Sequence, residues 1–334
     1  MAGLRTLLSI LGKQGARGMS IALCIGAFLP VIYPGLGAAL RPGLPLMIAV
    51  FLVNAFARLE VSHAKRSAAR PLKLLSATCW TVLVIPILFW ATLKIIGRDR
   101  FDPGLVLALS LQAGAAPIMA GPAVALVLDM EVTFSVMLLL ATMILQPFTA
   151  PLLVGWVAGT AIPIDSLVLG RNLLIMIGGS ALVAAALRRL LGHARLEAYR
   201  HELAGINLLV FTLFGLAMFD GVVLRIFAEP LLLLGLSAVA FIVALGSIGA
   251  AMIVLRAMGA DEAFMTGFAT GHRNVGLMAA AQSGSLPELT WLYFALVQLP
   301  TYLTPQIIRA LVAARRLLDD RAKTPGREGD DRQE

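Results

Sequence analysis

Ten times over, the chain runs apolar for roughly the length a bilayer demands and then meets charge. A helix needs about 20 apolar residues to cross the hydrocarbon core, with roughly 17–25 typical. The stretches fall at approximately 18–40, 42–57, 72–96, 103–129, 132–158, 164–187, 203–223, 229–255, 262–286 and 289–312. Water does not reach the middle of a bilayer to satisfy peptide groups, so spans of this kind must be helical. Composition agrees. Of the 334 residues 59% are apolar and 14% charged, against about 45–50% and roughly 25% in soluble domains. The expected fold is an all-α polytopic membrane protein with ten transmembrane helices. The second stretch is short, and is expected either to tilt little or to be extended by the aliphatic stem of Arg58.

Basic residues gather at alternate ends of these spans. Arg5, Lys13 and Arg17 precede the first. Arg58, Lys65, Arg66, Arg70 and Lys73 follow the second. Arg188, Arg189, Arg195 and Arg200 follow the sixth, and Arg309, Arg315, Arg316, Arg321, Lys323 and Arg327 follow the tenth. An even count puts all four groups on one side, and the positive-inside rule makes that side cytoplasmic. The chain is thus expected in the cell inner (plasma) membrane, multi-pass, with both termini in the cytoplasm. The net charge of +8 then belongs to loops facing anionic headgroups of the lipid bilayer, and no nucleic acid partner is expected. Residues 1–17 are expected as a cytoplasmic lead, and 313–334 as a mixed-charge, disordered tail. Cys24 and Cys79 lie inside apolar spans without a C-x-x-C, so they define neither a disulfide framework nor a metal site. The histidines His63, His193, His201 and His272 form no metal-like cluster, and no nucleophile–base pairing is evident. An enzyme is not expected, nor a cofactor.

Two places break the apolar pattern in a matched way. The ninth span carries Phe268-Ala-Thr-Gly-His-Arg-Asn-Val-Gly-Leu277, with two ionisable side chains and an amide between glycines. Glycine loosens a helix, and unpaired polar groups in hydrocarbon cost several kcal/mol each. The fourth span carries Gln112-Ala-Gly-Ala-Ala-Pro-Ile-Met-Ala-Gly-Pro122, where Pro117 and Pro122 remove amide donors and strain the preceding turns. Each is followed by a helix bearing proline and threonine: Gln146-Pro-Phe-Thr-Ala-Pro151 and Gln298-Leu-Pro-Thr-Tyr-Leu-Thr-Pro305. The copies stand five spans apart, so the second is inverted relative to the first. This predicts a first five-helix repeat over 18–158, an inverted second over 159–312, and crossed discontinuous helices at spans 4 and 9, the architecture of alternating-access carriers.

Arg273 cannot shed its charge at usable pH and must meet a carboxylate, carbonyls or water. No acidic residue lies mid-span; Asp129, Glu131, Asp165, Asp220, Glu229 and Glu288 all sit near ends. A transported anion is one expected partner, and the carbonyls ending the first half of span 4 are another. Asn274 offers donor and acceptor together. His272 is a candidate proton relay or a packed neighbour-facing residue. Thr270, Gly271, Pro117, Pro122, Gln112, Thr149, Gln298 and Thr304 complete the expected substrate site.

Several of these stretches resemble the bile acid:sodium symporter family. Tyr33-Pro-Gly-Leu-Gly-Ala-Ala-Leu-Arg-Pro-Gly-Leu-Pro45 is similar to its opening, and Pro86 fits a family proline. Ala116-Pro117 and Glu131-Val-Thr-Phe-Ser-Val136 resemble its C-P-G-G…S-N…G-D-x-A-L-S-V stretch. Ala269-Thr-Gly-His-Arg-Asn-Val-Gly-Leu277 resembles its E-x-G-x-Q-N-S-G-L motif. The resemblance implies a panel domain moving against a core in which two broken helices cross, and carriage of organic anions, usually with sodium. The chain departs where sodium would bind. The motif glutamate falls on Ala269, the glutamine on Arg273, the S-N pair near Pro122-Ala123, and a hydroxyl position on Leu139, although Ser135 remains. Arg273 is therefore read as a built-in cation in place of sodium, with a coupling proton, exchange or facilitated movement as alternatives. The expected function is secondary transport of a small organic anion, a carboxylate or sulfonate. A sodium-coupled symporter and a non-transporting receptor on the same scaffold are the rival readings.

Overall fold

The computed structural model describes residues 2–58, 71–159, 164–282 and 286–323. Among them every regular element is helical. The chain is an all-α protein of multi-pass membrane type. Six helices are long and apolar enough to cross a bilayer, and a seventh span results if a bent pair near the N-terminus is counted as one. In chain order, α1 is Ala2–Lys13 and α2 Gly15–Ile32. Next come α3, Leu36–Arg58, and α4, Pro71–Ile96. The first short pair is α5, Pro103–Gly114, and α6, Gly121–Val127, followed by α7, Val132–Ala158. Then α8 is Ser166–Ala198, α9 Arg200–Met218, α10 Val222–Ala228 and α11 Pro230–Val254. The second short pair is α12, Ala260–Gly271, and α13, Val275–Ala281, before the final helix α14, Glu288–Lys323.

Some boundaries differ from the sequence expectation. The chain breaks at Tyr33–Gly35 rather than between 40 and 42, so Leu36–Leu40 belongs to the second span. Pro34 has no N–H, and Gly35 takes a left-handed φ of 82° that stops the helix. Arg41, which suggested the later boundary, turns back onto protein. Its Nε donates to the Ala217 carbonyl at 3.4 Å, and its guanidinium lies 4.8 Å above the Trp291 ring. The final helix continues to Lys323, past the expected start of a disordered tail at 313. Its alanine- and arginine-rich continuation has high helix propensity. The remainder of that tail, 324–334, lies outside the described residues, as do Lys65, Arg66 and Arg70.

Packing divides the helices into two sets. One holds α1, α2, α3, α8 and α9, with α1 and α2 against α9 and α3 against α8 and α9. Glycines allow the closest approach there: a Cβ on Gly205 would stand 2.0 Å from the Leu8 carbonyl. The other set holds α4, both short pairs, α7, α11 and α14, and α7 also packs on α8. Within this set the same order of elements occurs twice. A long helix ends in a 3-10 turn, Arg98–Arg100 or Arg256–Met258. Helices of 12 and 7 residues follow on each occasion. A long helix with two internal prolines closes each unit, Pro147 and Pro151 in α7, Pro300 and Pro305 in α14.

One local feature was not foreseen. Within α4, Trp80–Val84 forms a turn of π-helix. In that geometry the Thr81 carbonyl looks five residues ahead, to Pro86, which has no N–H to give. The carbonyl is left for a donor from elsewhere.

Candidate functional site

A broken helix leaves carbonyls orphaned at one end and N–H groups at the other. Buried, these must find partners. Here the two breaks supply each other. Residues 115–120 separate α5 from α6, and 272–274 separate α12 from α13. They meet in an isolated antiparallel bridge between Pro117 and Arg273. The Ile118 N–H donates to the His272 carbonyl at 2.9 Å, and the Asn274 N–H donates to the Ala116 carbonyl at 2.8 Å. Asn274 also caps α13, its Oδ1 accepting from the Leu277 N–H at 3.1 Å.

Arg273 fastens this crossing. It is 3% exposed. Its Nε donates to the Thr270 carbonyl at 2.9 Å, its Nη2 to the Thr81 carbonyl at 2.9 Å, and its Nη1 to the Ala115 carbonyl. These oxygens come from the end of α12, the π turn of α4 and the end of α5. Helix C-termini carry partial negative charge, so two of the three also attract the guanidinium electrostatically. Among the described residues no carboxylate pairs with it. The carbonyl expected at the end of the first half of span 4 is that of Ala115.

A cavity of about 790 Å³ opens between the two helix sets, and Arg273 and Asn274 stand in its wall. Pro122 and Gln298 line it too. It is walled mostly by apolar side chains, among them Met119, Val136, Phe211 and Phe214, and Leu11, Gly12 and Arg58 line it as well. A second, water-sized cavity of about 10 Å³ touches Arg273, Gln146 and Thr149.

The other expected site residues face inward. His272 is fully buried, its ring stacked on Phe268 with centroids 4.2 Å apart and Nδ1 3.1 Å from the Phe268 carbonyl. Gln112 Oε1 accepts from the Tyr293 hydroxyl at 2.7 Å. The Thr270 hydroxyl donates to the Gly267 carbonyl at 2.9 Å. Gly271 lets α12 press on α11, where a Cβ would stand 2.3 Å from the Ala244 carbonyl. Pro117 forms the bridge itself, and Thr304 is buried in α14. These residues build the crossing and its supports; they do not line either cavity. Sequence reasoning overlooked Asn54 and Asn207, which face the cavity from α3 and α9. An amide inside an apolar span was the signal. Asn54 Nδ2 donates to the Leu203 carbonyl at 2.9 Å, so it also ties α3 to α9.

No protein-family model matches the chain, and no curated protein matches it.

Proposed function

We propose that this chain is a secondary carrier of an organic anion, a carboxylate or sulfonate, working by alternating access. The observation that carries the reading is the reciprocal pairing of the two helix breaks beside a cavity between two separately packed helix sets. Crossed broken helices in repeated units are the arrangement by which carriers hold a site near mid-membrane. Ten spans are reached by adding to the six long apolar helices the bent N-terminal pair, the two broken helices and α14. The repeated order of elements, five spans apart, fits two units of opposite orientation. The resemblance to the bile acid:sodium symporter family agrees with both. The cavity reaches Arg58, on the side rich in Lys and Arg, which the positive-inside rule makes cytoplasmic.

Arg273 occupies a cage of backbone carbonyls where a coupling cation would otherwise sit. Its charge draws the anion toward the crossing through the cavity wall, while Asn274 and Gln298 give polar contacts there. Sodium is then unnecessary. The experiment is counterflow in proteoliposomes loaded with candidate carboxylates and sulfonates, in sodium and in choline media. Saturable exchange at equal rates in both media is the expected result. Binding without exchange would favour a receptor, and steep sodium dependence would favour a sodium symporter.

A further inference from the structure

Among the described residues, Leu11, Gly12 and Arg58 line the cavity at one face and none of the opposite face does; there, contacts run between the helices instead. Following α3 backward from Arg58, or α9 forward from Arg200, leads to the opposite face. There Arg41 stands on the set containing α3 and α9, Arg225 on α10 between the two sets, and α14 begins with Glu288 and Trp291 on the other set. The Arg41 guanidinium carbon lies over the Trp291 ring, 4.8 Å from its centroid. Arg225 donates to Glu288 from Nη2, while its Nη1 is 3.5 Å from Glu229, a residue of its own segment. Arg41 is also tied back to its own set by the Ala217 carbonyl. Trp291 is 6% exposed, so its contact is shielded from competing water.

We propose that Arg41–Trp291 and Arg225–Glu288 form a two-point latch that holds the face opposite Arg58 shut and must open for the cavity to face the other way. The inference rests on the carrier reading, because a latch between two helix sets matters only if they move. Arg41 belongs to the set of α3 and α9, Arg225 to the short α10 that joins α9 to α11 and packs on both α2 and α11, and both partners to one helix of the other set. A rocking motion that carries α3 and α10 away from α14 must therefore part both contacts together. Arg225–Glu288 is the more exposed of the two and contributes less; Arg41–Trp291 carries most of the bias.

The test reads which way the cavity faces and needs no substrate. Cys24 and Cys79 are replaced by serine, and Met119→Cys is placed in the cavity wall. A membrane-impermeant maleimide is then applied to each face of reconstituted vesicles. With the latch intact, labelling comes from the Arg58 side. In the Arg41→Ala/Arg225→Ala variant, labelling from the opposite face is expected to rise roughly tenfold relative to the Arg58 side. An unchanged ratio in a folded variant overturns the latch. A charge exchange, Arg225→Glu with Glu288→Arg, guards against misfolding. It is expected to restore the parental ratio that Arg225→Glu alone shifts, and failure to restore it also counts against the proposal. Altered labelling without counterflow for any anion keeps the latch and sinks the carrier reading; counterflow with unaltered labelling does the reverse.

Discussion

Arg273 shows how one side chain decides what a break in two helices becomes. Three carbonyls from three elements converge on it, and each would stand buried and unpaired without it. An unsatisfied buried carbonyl costs about 1–3 kcal/mol. Arg273→Ala should therefore lower the melting temperature in detergent by several degrees and abolish exchange, while the apolar spans still insert. Arg273→Lys should recover part of the stability, since one ammonium cannot fan onto three separated oxygens as a guanidinium does. Wild-type melting and wild-type exchange in the alanine variant would remove the argument. Gly271 poses a steric question of the same size. Its missing Cβ is what lets α12 lie on α11, 2.3 Å being far inside contact distance. Gly271→Val should destabilise by about 1–3 kcal/mol through forced separation, read as a drop in melting temperature.

The elements were legible wherever one physical rule dominated. Apolar length and flanking charge located the six helices long enough to cross a membrane, and proline with glycine located both breaks, because backbone groups freed in an apolar environment need a special arrangement. The first boundary was misplaced because Arg41 signals water in sequence yet rests on Trp291 and the Ala217 carbonyl in space. The π turn at Trp80–Val84 left no sequence mark beyond Pro86. Side-chain direction was the harder matter. His272, Arg273 and Asn274 lie in the break, where the backbone is not helical and no helical period orders the side chains, and there the motif that places Arg273 and Asn274 at the cavity turns His272 onto Phe268. One sequence names the broken turn without saying which of its residues face inward. At this scale the crossing of α1 and α9 is testable. Gly12 and Gly205 bring the backbones together, and Arg5 and Glu202 pair beside them at 2.8 Å. Gly205→Leu should push α1 off α9 and expose residues 2–13 to proteolysis, whereas Arg5→Ala, removing only an exposed pair, should leave protection nearly intact. Equal protection in the leucine variant would mean that α1 is held by something other than this crossing.

At the scale of the whole molecule, the carrier reading requires that the two helix sets close on one face as they open on the other. Gly276 lies on the line where they meet. It belongs to α13, lines the cavity, and a Cβ there would stand 2.9 Å from the Phe214 ring of α9 and 3.4 Å from Ile48 of α3. A large side chain at this position cannot be absorbed by its own helix, because interiors are packed too closely to yield that volume. It must project between the sets. Gly276→Phe should thus act as a wedge, keeping the Arg58 side open and preventing the reverse state. Two consequences follow from one geometry. Exchange should fall to background, and the labelling of Met119→Cys from the Arg58 side should stay at the parental level or rise. A residue needed merely for folding would lose both signals together, and a residue needed merely for anion contact would lose exchange without fixing the direction of labelling. Loss of exchange with the facing ratio still free to shift would mean that the two sets do not hinge across α13, and that the cavity is a fixed pocket.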